Sequence, residues 1–446
     1  MSAKTEGVEA LADAPVGRLL WHGTAQATMS VGIYGIYALT NAAFVAHGVG
    51  PTAMGAVNLV APVLLVLSAL STTVGVGGAS LVSRRLGAED ATGAARAAGN
   101  SFLLFWTGAL AMAIAGLVLL EPLLSALGAE GDMRGYARDY AVLILASTLV
   151  GTGFSSLIRA EGRLRFATMQ WVVPVLVQIV LDPVLIYGFD MGVRGAALGT
   201  AGGQAVSAAM SLWFFFWQRE RPYRVRAADL LPHWPTLRSL LAVGAPSMLA
   251  GLGATALTLL VNNLLAGLLI TAYAVAARVQ VFAVMPQQGI SMGMQPIVGF
   301  NTGRGRPDRV DRARTLALRT TVAYSAAAAA FAALLAGPIT TALLGSPSPE
   351  AATALRLIAI GIAASGVPLL VSAYFQAVGA PLPSYLISIG TLLVLKIPAV
   401  LAFSALGPAG VWTGLAVGDL AAAAAALVLL RVFAVVRPAR AVPPAV

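Results

Sequence analysis

Twelve stretches of the chain are almost free of charge and long enough to cross a bilayer: about 18–46, 54–83, 97–120, 137–158, 166–189, 193–217, 237–267, 270–299, 316–343, 352–378, 382–405 and 410–436. A helix needs about 20 mainly apolar residues to span the hydrocarbon core. Only helices and closed barrels satisfy the backbone there. The pattern predicts an all-α polytopic membrane protein with twelve transmembrane helices. One long basic connection, 218–236, divides them six and six. The expected organisation is a disordered cytoplasmic tail (1–17), an N-lobe of helices 1–6 (18–217), a cytoplasmic linker (218–236), a C-lobe of helices 7–12 (237–436) and a cytoplasmic tail (437–446). No basic head precedes the first apolar run, so 1–17 is not read as a signal peptide.

The two halves repeat. Gly192-Val-Arg-Gly195 is answered by Gly407-Pro-Ala-Gly410, and Asp182-Pro183 by Ile397-Pro398, both at an offset of 215. Arg159-Ala-Glu-Gly162 is answered by Phe375-Gln-Ala-Val-Gly379, with a small gap. With six helices in each half, both halves start on the same side of the membrane, which makes the repeat a parallel one. Duplication of this kind suits a carrier whose halves rock about a central cavity.

Composition then narrows the class. The chain has 446 residues, 58% apolar and 10% charged, against about 25% charged in soluble domains. With no Cys and three scattered His, no cysteine or histidine metal site and no thiol chemistry are expected. No phosphate-binding loop is present, and no cofactor is expected. The net charge of +10 is distributed by side. The N-terminus, the even-numbered loops and the C-terminus hold 22 of the 28 Lys and Arg, and the odd-numbered loops hold Arg134, Arg138, Arg194 and Arg356. This asymmetry places both termini in the cytoplasm. It makes the basic balance a topology signal, so no nucleic-acid partner is expected.

Of the acidic residues, Asp182 and Asp419 lie clearly within helices. A carboxylate in hydrocarbon is costly, and such residues are functional by default. Gln178 lies one turn before Asp182, on the same helix face. If the following turn centres near Met191, Asp182 and Thr200 lie at equal depth, roughly 13 Å below it. Asn41 is at similar depth below the turn near Gly50, with Tyr37 one turn away; Gln204 is one turn from Thr200. Asp182, Gln178, Asn41 and Thr200 are therefore the candidate cation or proton site. Tyr37, Ser155, Gln204 and Arg278 are candidates to line a substrate cavity. A buried carboxylate can take a proton from one side and give it up where water reaches it, or the oxygens can hold Na⁺. The structural alternative makes Asp182 a hydrogen-bond acceptor for neighbouring amides. In the other half, Lys396 and Asp419 match in depth below the turn near Gly407. They are expected to form an intramembrane ion pair, with Asp419 as a second coupling acid the alternative.

These residues resemble the multidrug and toxic compound extrusion (MATE) family. The resemblance is carried by Phe44-Val-Ala-His-Gly-Val-Gly50, Ala56-Val-Asn-Leu-Val-Ala-Pro62, Leu81-Val-Ser-Arg-Arg-Leu-Gly-Ala88, Ile158-Arg-Ala-Glu-Gly162, Leu181-Asp-Pro183, Gly192-Val-Arg-Gly-Ala-Ala197 and Gln295-Pro-Ile-Val-Gly-Phe-Asn301. It looks closest to the DNA-damage-inducible-F-like bacterial branch. The resemblance implies two six-helix lobes, drug/cation antiport by alternating access, and an N-lobe site on an acid like Asp182, an amide like Gln178 and a threonine like Thr200. Two positions depart from it. Asn41 stands where many relatives carry Asp, and Gly23-Thr-Ala-Gln26 lacks a helix-1 proline.

The expectation is a monomeric, multi-pass exporter of amphipathic or cationic drug-like molecules in the plasma membrane, driven by H⁺ or Na⁺ and working within the lipid bilayer. The alternatives are a lipid-linked-oligosaccharide flippase of the same superfamily, which calls for a strongly basic cavity, and a channel.

Overall fold

The computed structural model describes residues 7–148, 150, 154–218, 220–265 and 268–436. The protein is all-α. Among the described residues, ten helices are long and apolar enough to cross a membrane. The expected fourth and sixth helices fall on Gly131–Ser147 followed by Ser155–Ala160, and on Gly192–Leu212 continued by a π turn at Trp213–Trp217. In chain order the α-helices are α1 (Val8–Asp13), α2 (Val16–Gly48), α3 (Pro51–Gly87), α4 (Ala91–Val118), α5 (Leu120–Ala126), α6 (Gly131–Ser147), α7 (Ser155–Ala160), α8 (Leu164–Pro183) and α9 (Gly192–Leu212). They continue as α10 (Trp234–Leu264), α11 (Leu268–Gly303), α12 (Pro307–Leu334), α13 (Ala336–Leu344), α14 (Pro349–Ala377), α15 (Pro381–Tyr385), α16 (Ile397–Ser404) and α17 (Pro408–Val436).

The chain forms two compact units. One comprises 29–86 and 90–244; the other comprises 1–28, 87–89 and 245–446. The division differs from the expected lobes at both ends. The first turns of α2 belong with the C-terminal unit, and the linker 218–236 belongs wholly to the N-terminal one.

In the N-terminal unit, α4 starts on Asp90, whose Oδ1 accepts from Gly93 N at 2.7 Å, an N-cap of the kind that satisfies an orphan helix donor. One end of the unit is an apolar cluster of Val45, Val60, Leu124, Tyr140, Ile144 and Ile186. Elsewhere Phe102 packs edge-on against Phe154 and Phe215, with centroids at 4.2 and 4.9 Å. Beside this aromatic group lies a buried ion pair of Glu161 and Arg221. The guanidinium lies 4.5–4.7 Å from the ring centroids of Phe214, Phe215 and Tyr223, which offsets part of the desolvation cost. Besides that ion pair, the linker is held by Asn100. Asn100 donates to the carbonyls of Asp229 (3.1 Å) and Leu231 (3.2 Å) and accepts from His233 N (2.9 Å).

In the C-terminal unit, α14 is central, packed by α11, α12 and α17. Its core is Leu355, Ile358 and Ile362 with Val400 and Trp412. The N-terminal tail is a correction to the expected disorder. Residues 8–13 form α1, with Ala10, Leu11 and Ala12 buried. Asn301 and Arg309 each donate to Leu11 O at 3.3 Å, and Arg306 and Arg309 reach Ala12 O and Ala14 O at 2.7 Å. The tail's polar side chains suggested no core to join, but its backbone carbonyls meet donors nearly 300 residues away. The other expected tail, 437–446, lies outside the described residues.

The internal repeat is visible in the backbone. Gly162 and Gly379, matched in sequence, close α7 and α14 at φ +78° and +77°, the left-handed step that favours glycine after a helix.

Candidate functional site

The candidate site stands on α2, α8 and α9 of the N-terminal unit. Helical spacing brings Tyr37 and Asn41 to one face of α2, and Gln178 and Asp182 to one face of α8. Asn41, Gln178, Asp182 and Thr200 are all buried, Asp182 with 1% of its surface exposed.

Two linked groups result, one helical turn apart. In the first, Asn41 Nδ2 donates to Asp182 Oδ2 at 3.0 Å. Asp182 Oδ1 is buried and has no hydrogen-bond partner among the described residues. It points at α9 where Gly199 lies, and a Cβ there would fall on that oxygen. In the second, Gln178 Nε2 donates to Tyr37 OH and to Thr200 Oγ1, each at 2.7 Å. The Thr200 hydroxyl donates onward to Ala196 O at 3.0 Å, which leaves its oxygen free to accept from the amide.

Among the described residues, Asp182 therefore meets one neutral amide and no cation. An ionised carboxylate so placed is heavily penalised. Protonation, or a cation at Oδ1, would remove that penalty. Around it are the amide of Asn41 and, one turn along, the oxygens of Thr200 and Tyr37.

The remaining expected residues are dispersed. Gln204 Oε1 accepts from Ser147 Oγ on α6 at 3.4 Å. Ser155 Oγ accepts from Trp171 Nε1 at 3.0 Å, and Trp171 packs edge-on against Tyr34 at 5.7 Å. Both therefore lie in the N-terminal unit without joining the Asp182 group directly. Arg278 is exposed on α11 of the C-terminal unit. Lys396 Nζ lies 2.5 Å from Asp419 Oδ1 in that same unit. One residue escaped the sequence reading. Tyr140 on α6 is 3% exposed and lies beside the Tyr37, Asp182 and Thr200 group. It lies in the predicted helix 137–158, next to Arg138 and Asp139, near the helix's charged end.

A family model, MatE, matches residues 27–184 and 246–401, on both sides of the linker. The chain belongs to the MATE family. Among curated relatives, it is 28% identical over 273 residues to the multidrug export protein MepA of Staphylococcus haemolyticus (strain JCSC1435), an alignment covering 60% of each chain. It is 27% identical over 309 residues to MepA of Staphylococcus aureus (strain MRSA252), covering 67% of this chain and 68% of that one. Among solved structures, it resembles a multidrug resistance MATE family transporter in an outward-facing conformation. That match has a TM-score of 0.90 and 25% identity over 98% of this chain and 99% of that one. It also resembles a MATE protein in a bent conformation, with a TM-score of 0.90 and 25% identity over 96% and 98% of the two chains. A third match is a Pyrococcus furiosus transporter of the MOP superfamily whose binding pocket has reversed polarity, with a TM-score of 0.88 and 25% identity over 98% and 100%. This MATE chain is thus a multi-pass membrane transporter by family.

Proposed function

We propose that this MATE protein is a secondary active exporter of amphipathic, cationic small molecules. It exchanges them for H⁺ or Na⁺ by alternating access, as a monomer in the plasma membrane with both termini in the cytoplasm. Two relatives carry the name multidrug export protein, and a structural match is a multidrug resistance transporter. The observation that carries the coupling is Asp182: buried, held on one oxygen by a neutral amide, and unpartnered on the other. A proton or Na⁺ at Oδ1 satisfies the charge and leaves when water reaches the site from the other side. The Gln178–Tyr37–Thr200 group one turn along ties α8 to α2 and α9, so a change at Asp182 is felt by three helices.

The oligosaccharide-flippase alternative is weakened. Lys396, one of its two candidate intramembrane cations, is neutralised by Asp419.

The test is Asp182→Asn in proteoliposomes loaded with a fluorescent organic cation. A pH gradient and a Na⁺ gradient are imposed in turn. The natural chain should export against one or both gradients and the variant against neither, with the same yield and elution profile. Undiminished ion-driven export by the variant removes Asp182 from the mechanism, and flux that persists without exchange identifies a channel.

A further inference from the structure

We propose that Asp419 is a second cation site, filled by the chain's own ammonium group, Lys396, and thereby withheld from coupling ions. The pair is 2.5 Å apart, with 25% of the lysine side chain and 10% of the aspartate side chain exposed. Both residues lie inside apolar helices, so each charge is costly without the other.

The internal repeat shows what the pair replaces. In the N-terminal unit, a Cβ on Gly203 would lie 3.4 Å from Gln178 Cβ. In the C-terminal unit the matching glycine is Gly418, at the offset of 215. A Cβ there would lie 3.0 Å from Lys396 Cα and 3.4 Å from its Cβ. Packed against that glycine, Lys396 thus takes the place of Gln178, three residues out of register with the sequence offset, which pairs it with Leu181. Asp419, at the same offset, answers Gln204. Two neutral amides in one half are a positive and a negative charge in the other.

The local backbone is built around the pair. Lys396 ends the second of two successive π turns, Leu386–Gly390 and Leu392–Lys396. Such turns insert a residue, rotate the side chains that follow, and recur at functional sites. On α14, a Cβ at Gly361 would lie 2.7 Å from Asp419 Oδ2, so glycine lets that helix close over the carboxylate. Another titratable neighbour is Tyr273 on α11, within electrostatic range of Asp419. Lys396 supplies the positive charge that H⁺ or Na⁺ would otherwise bring. Being tethered, it cannot be carried across. The natural chain therefore offers coupling ions one carboxylate, not two.

The experiment uses full-length protein in an Asp182→Asn background, which silences the first site and separates this inference from the reading of Asp182. Bound radioactive Na⁺ and proton uptake on acidification are measured for three variants. Asp182→Asn alone should take up no intramembrane cation equivalent. Adding Lys396→Met should create about one equivalent per chain, as Na⁺ or as H⁺, and adding Asp419→Asn should abolish it. A monodisperse Lys396→Met variant that binds neither ion overturns the proposal. So does cation exchange at Asp419 with Lys396 still present. If Lys396→Met does not give monodisperse protein, Lys396→Ala is purified with and without ethylammonium. Ethylammonium should restore its melting temperature but not change that of Lys396→Ala/Asp419→Asn. No restoration in a chain that the second substitution does rescue also overturns the proposal.

Discussion

At the scale of single residues, the candidate site depends on very small spaces. Gly199 leaves room for Asp182 Oδ1. Gly199→Ala places a methyl group where a proton or ion would sit, while keeping the carboxylate. Ion-driven export should fall at least about tenfold, the scale of about 1.4 kcal/mol of lost cation binding, in protein that still elutes as a single species. Unchanged export would show that the cation approaches from elsewhere. A second residue invites a stability test. Arg159 is buried, and none of its three guanidinium nitrogens has a hydrogen-bond partner among the described residues. Its repeat counterpart Gln376 donates to Ser247 Oγ at 2.8 Å. Replacing an uncompensated buried charge with the amide of the other half should hold or raise stability. Arg159→Gln is therefore expected to show a melting temperature in detergent equal to or above that of the natural chain. Much of this scale was readable beforehand. One helical turn separates Tyr37 from Asn41 and Gln178 from Asp182, and equal distance from a turn matched Asp182 with Thr200 and Lys396 with Asp419. Tyr140 was not readable, because its contact with Thr200 depends on how α6 packs on α9. No local pattern encodes that packing.

At the scale of elements, the linker belongs to the N-terminal unit, tied to it by the Arg221–Glu161 pair and by one amide side chain that binds three of its backbone groups. Asn100→Ala removes all three bonds. Each is worth about 0.5–1.5 kcal/mol, so the linker should open at least about tenfold more often. Limited trypsin digestion at Arg224 and Arg226 should accelerate to match; an unchanged rate would mean that other contacts hold the segment. Helix starts give a smaller, cleaner effect. Ser348 caps α14 by accepting from Ala351 N at 3.2 Å, and Ser348→Ala should cost about 0.5–2 kcal/mol, read as a lower melting temperature. The long apolar helices were legible because the bilayer demands about 20 apolar residues from each. The fourth was less so. Its element begins at Gly131, six residues before the apolar run, since the polar turn Gly131–Arg138 is helical without being apolar. The π turns have no signature in the apolar pattern, because one inserted residue leaves a run just as hydrophobic.

At the scale of the whole molecule, the basic residues predict which ends of the helices face the cytoplasm. The chain has no cysteine, so single cysteines can be introduced without background. Cysteines at Arg134 or Asp190 should react with an impermeant maleimide on intact cells. Cysteines at Arg224 or Arg304 should react only after lysis, and the opposite pattern would invert the topology. The six-and-six division and the repeat were legible from charge and from matched glycines. The membership of 1–28 in the C-terminal unit was not, because it rests on pairings between segments far apart in the chain. Those pairings carry a consequence for biosynthesis. The carbonyl of Leu11 and the amide of Asn301 are 290 positions apart. At roughly 5–20 residues per second, the ribosome needs about 15–60 seconds to make that distance. Throughout that interval the Val8–Asp13 segment lacks its Asn301 partner, which is made only once α10 and nearly all of α11 exist.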